Sequence, residues 1–459
     1  MIKKAIMKKP NIFFLTIDSL RSDKCYGKNK SSITPNIDKL INNGVYFTQA
    51  ISSSDQTGTS LASIFTSMFP INTGLTHFNF SKETKTYFDI FHNDGYFTCG
   101  CFPDHDFFKN LISKFDESYT FEYNKLESWK NLSGGIGNNI IKHLKMLENK
   151  QPWIYAVHIM DLHNLYVLPD EFNNEQYGEN NYDRMLSFID TWIGKFCAEI
   201  NLENTLIVLS SDHGSYIPVT GNAPDEIPTI QNFMKKIKMK LPFLEPVGLK
   251  VFLLMRIIVR KLRMKKLKNQ LSEYELRSLN NRGNTELFEE TIRVPIFIVG
   301  PNIPNKIITQ QIRHVDIFPT ICKLINLEHD DFQSDGRSVV PLLNEEKMDD
   351  APAYIETGVT SPQFTDKINP KSVGQIIGIR TSKYKYLRNR EVQKDSVVLY
   401  DLENDPHELQ NIALENEDII EMMEKSLNYI MKSGHKKPDN LSNEEQQKAE
   451  DLLKKLGYI

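Results

Sequence analysis

Five stretches of the chain are nearly unbroken apolar, β-rich runs: Ile12 to Ile17, Tyr96 to Phe102, Trp153 to Ile159, Thr205 to Ser210 and Val294 to Val299. A strand with one wet face alternates apolar and polar residues; a strand that does not alternate must be covered on both faces, as parallel strands are. Helix-like segments such as Pro35 to Asn43 and Tyr182 to Ile200 separate the runs. The pattern therefore predicts an α/β fold with a mixed, mostly parallel sheet sandwiched by helices. Ligands of such sheets lie beyond the carboxyl ends of the strands. Those ends carry Asp18 after the first run, Asp161 and His163 after the third, and Ser211-Asp212-His213-Gly214 after the fourth.

From about Asp331 the character changes. Tyr354 to Glu356, Gln375 to Arg380, Tyr384 to Arg388 and Val397 to Leu402 read as short strands, followed by a helical stretch from Asp418 to Met431. The expected organisation is a catalytic domain over 10–330, a smaller C-terminal antiparallel-sheet subdomain over 331–435, and a helical tail over 436–459 with Leu452, Leu453 and Leu456 on one side.

A formal charge of −4 on 459 residues speaks against nucleic acid as the partner. Five cysteines, Cys25, Cys99, Cys101, Cys197 and Cys322, form no C-x-x-C pair and read as reduced thiols. The apolar start at Asn11 to Thr16 is too short for a secretory segment and no long uncharged run follows, so the expected location is cytoplasmic, with peripheral membrane contact.

Asp18, Asp212 and His213 offer two hard carboxylates and one imidazole, a set suited to a divalent metal such as Mn²⁺, Zn²⁺, Mg²⁺ or Ca²⁺. Around them the sequence resembles the sulfatase family of the alkaline phosphatase superfamily. The resemblance rests on ordered blocks: Asn11 to Asp23 with Thr34 to Leu40; Thr66 to Pro70; His158-Ile-Met-Asp161-Leu-His163; Ile207 to Gly214; Leu287 to Pro295; His314 to Thr320; Asp335 to Ser338; and Leu399 to Pro406. It covers roughly residues 10–435 and lapses over 221–282. It implies the α/β fold above and hydrolysis or transfer of a sulfate or phosphate ester, with Asp18, Asp212 and His213 on the metal.

The chain departs from that family at the nucleophile. Sulfatases carry Cys or Ser, oxidised to formylglycine, in C/S-x-P-x-R; the aligned stretch here is Thr57-Gly58-Thr59-Ser60-Leu61. A threonine Cβ already bears a methyl, so oxidation would give a ketone and no formylglycine. The arrangement resembles the threonine-dependent phosphoethanolamine and phosphoglycerol transferases and related phosphodiesterases, in which the hydroxyl itself attacks and is also a metal ligand. The stretch from Leu61 to Met68 is expected to be helical, with Thr57 just before its N-terminus, where the dipole favours an anion. Thr57 is the expected nucleophile, Thr59 the alternative, and helix capping the bland role for either.

By the same resemblance His163 binds the phosphoryl oxygens or protonates the leaving alcohol, and Asp161 orients it. His158 reads as a buried core histidine, and His314 as structural or catalytic. His105, in Asp104-His105-Asp106, and Arg282, in Asn280 to Asn284, are candidate substrate contacts against solvated-loop readings.

Between Lys235 and Lys268 stand twelve basic residues and one acid, Glu245. Within the insertion 221–282, Pro242 to Gln270 places Val251, Leu254, Met255, Ile258 and Leu262 at helical spacing, with Arg256, Arg260 and Arg263 opposite. This pattern fits a basic amphipathic helix on an anionic membrane surface, or a helical lid on the body. The expected function is a metal-dependent enzyme of the sulfatase family that cleaves or transfers a phosphoester through Thr57, with a glycan or lipid-linked substrate. The alternatives are a sulfuric ester hydrolase without formylglycine and an inactive membrane-docked scaffold.

Overall fold

Strand β1 (Asn11–Ile17) is buried along its whole length, as its unbroken apolar run requires. The computed structural model describes residues 9–76, 79–122, 131–163, 167–219, 255, 258–279, 287–328, 332–358, 376–390 and 397–433. Around β1, the strands β2 (Val45–Ile51), β3 (Phe97–Pro103), β4 (Glu117–Phe121), β5 (Trp153–Ile159), β6 (Thr205–Ser210), β7 (Arg293–Val299), β8 (Lys306–Ile308) and β9 (Ile312–Arg313) build a nine-stranded sheet. Its order is β4-β3-β5-β1-β6-β7-β2-β8, with β9 also on β2. All pairings are parallel except the two that β7 makes, with β6 and β2.

Five of these strands are those anticipated. β2 escapes the apolar pattern because Thr48 and Gln49 interrupt it, β4 because it is a half-exposed edge, and β8 and β9 because three and two residues carry no periodicity. Helices α1 (Pro35–Ile41), α2 (Thr57–Thr66), α3 (Tyr87–Asn93), α4 (Asp106–Leu111), α5 (Gly137–Leu147), α6 (Asn181–Ala198) and α7 (Ile317–Leu324) accompany the sheet. Phe65 of α2 meets Phe14 of β1 at 6.2 Å and Phe318 of α7 at 6.3 Å between ring centroids. Burying such a side chain contributes about 1.5–3 kcal/mol, so this aromatic stack holds α2 onto the sheet.

Helix α2 begins four residues earlier than the expected Leu61. The run Thr57-Gly58-Thr59-Ser60 has poor helix propensity, and tertiary bonds override it: the Ser60 hydroxyl donates to Asp212 O at 2.5 Å from the first turn. Left-handed Ser67 (φ 51°) ends the helix.

A separate four-stranded antiparallel sheet runs β10 (Ala353–Glu356), β11 (Ile376–Arg380), β12 (Tyr384–Asn389) and β13 (Val398–Asp401), in that order. Met423 and Leu427 of α8 (Glu417–Ser433) pack with Ile377, Ile379 and Tyr386 of this sheet. A buried ion network joins it to the segment before β7: Lys385 lies 2.9 Å from Glu289 and also pairs Glu408, and Arg380 pairs Glu289 at 3.0 Å.

By its contacts the chain divides into two compact units, one of Met1–Ser215 with Thr285–Ile459, the other Tyr216–Asn284. Both sheets belong to the first. In the second, residues 258–267 are helical, and a further helix, Glu273–Arg277, opens with a capping box between Ser272 and Glu275. The expected tail 436–459, Arg282, Val251, Leu254 and Arg256 lie outside the described residues. Among those described, no helix is long and apolar enough to cross a membrane.

Candidate active site

The register of three parallel strands assembles the site. Thr16 of β1 stands opposite His158 of β5 on one side and Ser210 of β6 on the other. Two residues further along, Asp18 and Asp212 leave adjacent strands side by side. Asp18, Asp212 and His158 each offer a ligand atom, and these three atoms lie within 4.8 Å of one another, all buried.

Asp212 is oriented by its neighbours. Its Oδ1 accepts the N–H of Ser19 at 2.9 Å and that of His213 at 2.8 Å, while Oδ2 is buried without a hydrogen-bond partner. Its backbone carbonyl accepts the hydroxyls of Ser52 and Ser60. Ser19 sits in a left-handed conformation (φ 62°), and its hydroxyl donates to Asp18 Oδ1. The Tyr182 hydroxyl donates to Ser19 O at 2.9 Å and pins the turn.

In their neutral forms both imidazoles present the Nε2 lone pair to the cluster. His213 Nδ1 faces Gly214 O at 2.7 Å; a carbonyl only accepts, so Nδ1 carries the proton and Nε2 the lone pair. His158 Nδ1 faces Thr16 Oγ1 at 2.9 Å, and that hydroxyl donates to Val157 O at 3.1 Å. Nδ1 of His158 therefore also carries the proton, and its Nε2, buried without a hydrogen-bond partner, points its lone pair at Asp18 Oδ2, 3.8 Å away. Two acceptors facing each other in a dry site repel unless a cation lies between them. The donor set thus fits a divalent metal. His158, expected in the core, is fully buried yet belongs to this cluster; its all-apolar strand concealed it, and the signal was a polar side chain with no route to solvent.

Thr57 opens α2 half-buried. Its hydroxyl donates to Asp18 Oδ2 at 3.1 Å and lies 3.3 Å from His213 Nε2. Thr59, the alternative, is buried inside the same helix. Gly214 lets the chain pass the segment before β7: a Cβ there would meet Glu290 O at 2.0 Å, and the Gly214 N–H donates to Thr291 O at 2.8 Å.

Other candidates fall elsewhere. His163 is buried at the carboxyl end of β5. Asp161, expected to orient it, instead accepts the Leu132 N–H at 3.2 Å, and burial pushes its carboxyl up to about 7. His105 caps α4, its Nδ1 accepting the Phe107 N–H at 3.2 Å. His314 is buried behind the site, its Nδ1 3.1 Å from Ser60 Oγ; burial, then the nearby His213, pushes it down to about 3, so it is neutral. Sequence reasoning missed the supporting Ser52 and Ser60 and also Asp55, which accepts the Gly358 N–H at 2.9 Å and whose carboxyl burial raises. Through this bond and the Ser54–Glu356 bridge, β10 of the second sheet abuts the segment leading to Thr57.

Residues 10–327 match the family model described as "Sulfatase", and residues 284–433 the model described as "N-sulphoglucosamine sulphohydrolase, C-terminal". A choline-sulfatase of Rhizobium meliloti (strain 1021) is 31% identical over 140 residues, 29% of this chain and 25% of that protein. Arylsulfatase K of Gallus gallus is 27% identical over 148 residues, 32% of this chain and 27% of that protein. The matched parts therefore span about a quarter of these curated relatives. Among solved structures, the phosphonate monoester hydrolase of Agrobacterium radiobacter superposes with a TM-score of 0.66 at 15% identity, covering 92% of this chain and 96% of that one. Ps i-CgsB, solved with k-i-k-neocarrahexaose, gives 0.62 at 18% identity, covering 92% and 93%. At these identities the likeness establishes the fold.

Proposed function

The chain belongs to the sulfatase family, and from that premise we propose that it is a metal-dependent hydrolase or transferase of phosphate esters in which Thr57 supplies the attacking oxygen. Asp18, Asp212, His158 and His213 are the side chains that would hold the ion. A divalent cation there would neutralise charge on the ester oxygens and favour an ionised hydroxyl. The observation that carries the reading is the contact of Thr57 Oγ1 with Asp18 Oδ2 and His213 Nε2, at 3.1 and 3.3 Å.

Thr57 Oγ1, its proton lost to solvent, attacks phosphorus and forms the new O–P bond. The ester P–O bond breaks, and His163, at the end of β5, protonates the leaving alcohol. Water or an acceptor alcohol then attacks that phosphorus, giving its proton back to His163 as the bond from phosphorus to Thr57 Oγ1 breaks. Preference for phosphate over sulfate follows from the threonine methyl, which bars the formylglycine route. Similarity to a choline-sulfatase supports a second reading, sulfate ester hydrolysis by the same hydroxyl. We assign the substrate to esters of glycans or lipid-linked alcohols met at an anionic membrane surface. The reading is supported by the basic segment 242–270 and, for glycans, by the carrahexaose bound to the fold relative.

The test is turnover of aryl phosphodiester, phosphomonoester and sulfate ester by metal-loaded protein beside Thr57→Ala and Thr57→Ser. Phosphoester turnover that falls roughly 10³-fold or more in Thr57→Ala and is partly kept in Thr57→Ser is the expected result. Sulfate turnover alone would replace the phosphoryl reading with the second. Equal turnover in Thr57→Ala would remove Thr57 from the chemistry.

A further inference from the structure

The basic insertion turns part of its apolar side outward and one of the arginines assigned to its polar side inward. Residues 258–267 are helical, and Ile258 and Leu262, assigned by sequence to an apolar face, are 50% and 66% exposed. Arg260, assigned to the opposite, charged side, is half-buried and donates to Leu279 O at 3.2 Å. Val259, Met264 and Leu267 share the half-buried side with it.

At about 100° per residue, Ile258 and Leu262 form one line along the exposed side. Lys261, Lys265 and Lys268 flank that line on one edge and Lys266 on the other, all exposed. None of these four lysines is in an ion pair among the described residues, and residues 258–268 hold six basic side chains and no acid in a chain of formal charge −4. The nearest acid along the chain is Glu273; Glu275 is already engaged by Ser272.

Two large apolar side chains held out in water between lysines fit a surface that is apolar below and anionic above. Lysine stems lie along the apolar layer and their ammonium groups reach the head groups. Nucleic acid would satisfy the lysines and leave Ile258 and Leu262 wet. We infer that the Ile258–Leu262 face of the 258–268 segment docks on an anionic lipid surface. The inference rests on the membrane-surface reading above and names the contact that makes it.

Full-length protein is sedimented with vesicles of phosphatidylcholine alone and of an equal mixture with phosphatidylglycerol. The comparison includes Ile258→Ser/Leu262→Ser, Lys261→Gln/Lys265→Gln/Lys266→Gln/Lys268→Gln, and a poly(U) competition. Expected is binding to the mixed vesicles only, weakened on the order of tenfold or more by either variant. Melting temperature and turnover of a soluble aryl ester should stay unchanged. Loss in the lysine variant with full binding by Ile258→Ser/Leu262→Ser overturns the docking face but keeps membrane attraction. No binding of the parent protein overturns the membrane reading as well. Poly(U) binding that survives Ile258→Ser/Leu262→Ser and displaces vesicles identifies a polyanion site and overturns the inference.

Discussion

The Ser19 N–H donates to Asp212 Oδ1 at 2.9 Å, across 193 positions of the chain. The same residue's hydroxyl donates to Asp18 Oδ1, so one left-handed serine occupies the rear oxygens of both carboxylates and leaves both Oδ2 atoms facing the candidate metal position.

Ser19→Gly keeps the backbone conformation and the bond to Asp212 but loses the bond to Asp18. Divalent-metal affinity, measured by competition with a chromogenic chelator, should weaken roughly 10–100-fold. Ser19→Ala should match it in affinity while being about 1 kcal/mol less stable than Ser19→Gly in the apo protein, because it keeps a Cβ at φ 62°. Affinity within twofold of the parent in Ser19→Gly would remove Ser19 from the positioning of the carboxylates.

His158→Phe keeps a ring in the buried site beside Phe108, 5.4 Å away between centroids, and removes the lone pair. An ion at about 100 times its Kd adds about 2.7 kcal/mol to stability. EDTA should therefore lower the melting temperature of the parent protein, and lower it less in His158→Phe at the same metal concentration. An equal EDTA effect in both proteins would exclude His158 as a ligand.

Asp161 has a folded pKa of about 7, raised by burial from 3.8, so the folded state binds the extra proton between those values. Its contribution to stability is full below about pH 4 and is lost as pH rises through about 7. Asp161→Asn keeps an acceptor for the Leu132 N–H and should flatten this dependence, raising the melting temperature by at least about 2 °C at pH 8. Parallel pH profiles for the two proteins would contradict the assignment.

Lys385 is fully buried between Glu289 and Glu408 and donates to Leu287 O at 2.9 Å. Lys385→Met leaves Glu408 buried without its cation, while Glu289 keeps Arg380. It should cost about 3–5 kcal/mol in urea unfolding, and pairing it with Glu408→Gln should recover part of that loss. A loss below about 1 kcal/mol would show that the network is solvated in solution.

Much of the architecture was legible because its cause is local. Runs such as Ile12 to Ile17 and Thr205 to Ser210 have no polar alternation to give a wet face, so they had to be central strands, and their carboxyl ends located Asp18, Asp212 and His213. Four strands were missed where this cause is absent: β2, broken by Thr48 and Gln49, the half-exposed β4, and the very short β8 and β9.

The roles of single side chains depend on partners far along the chain. The amino-acid order alone places a histidine at 158 inside an apolar run; only the β1–β5 register sets it opposite Thr16, whose hydroxyl fixes its tautomer and turns Nε2 toward Asp18. It reads Thr57 as preceding a helix, whereas bonds from Ser60 to Asp212 draw that residue into the first turn and against His213. The family resemblance pairs Asp161 with His163, and folding gives Asp161 the Leu132 amide instead. Periodicity and burial are properties of a segment and can be read from it. A hydrogen bond's direction is a property of two segments, and it exists only once the sheet has brought them together.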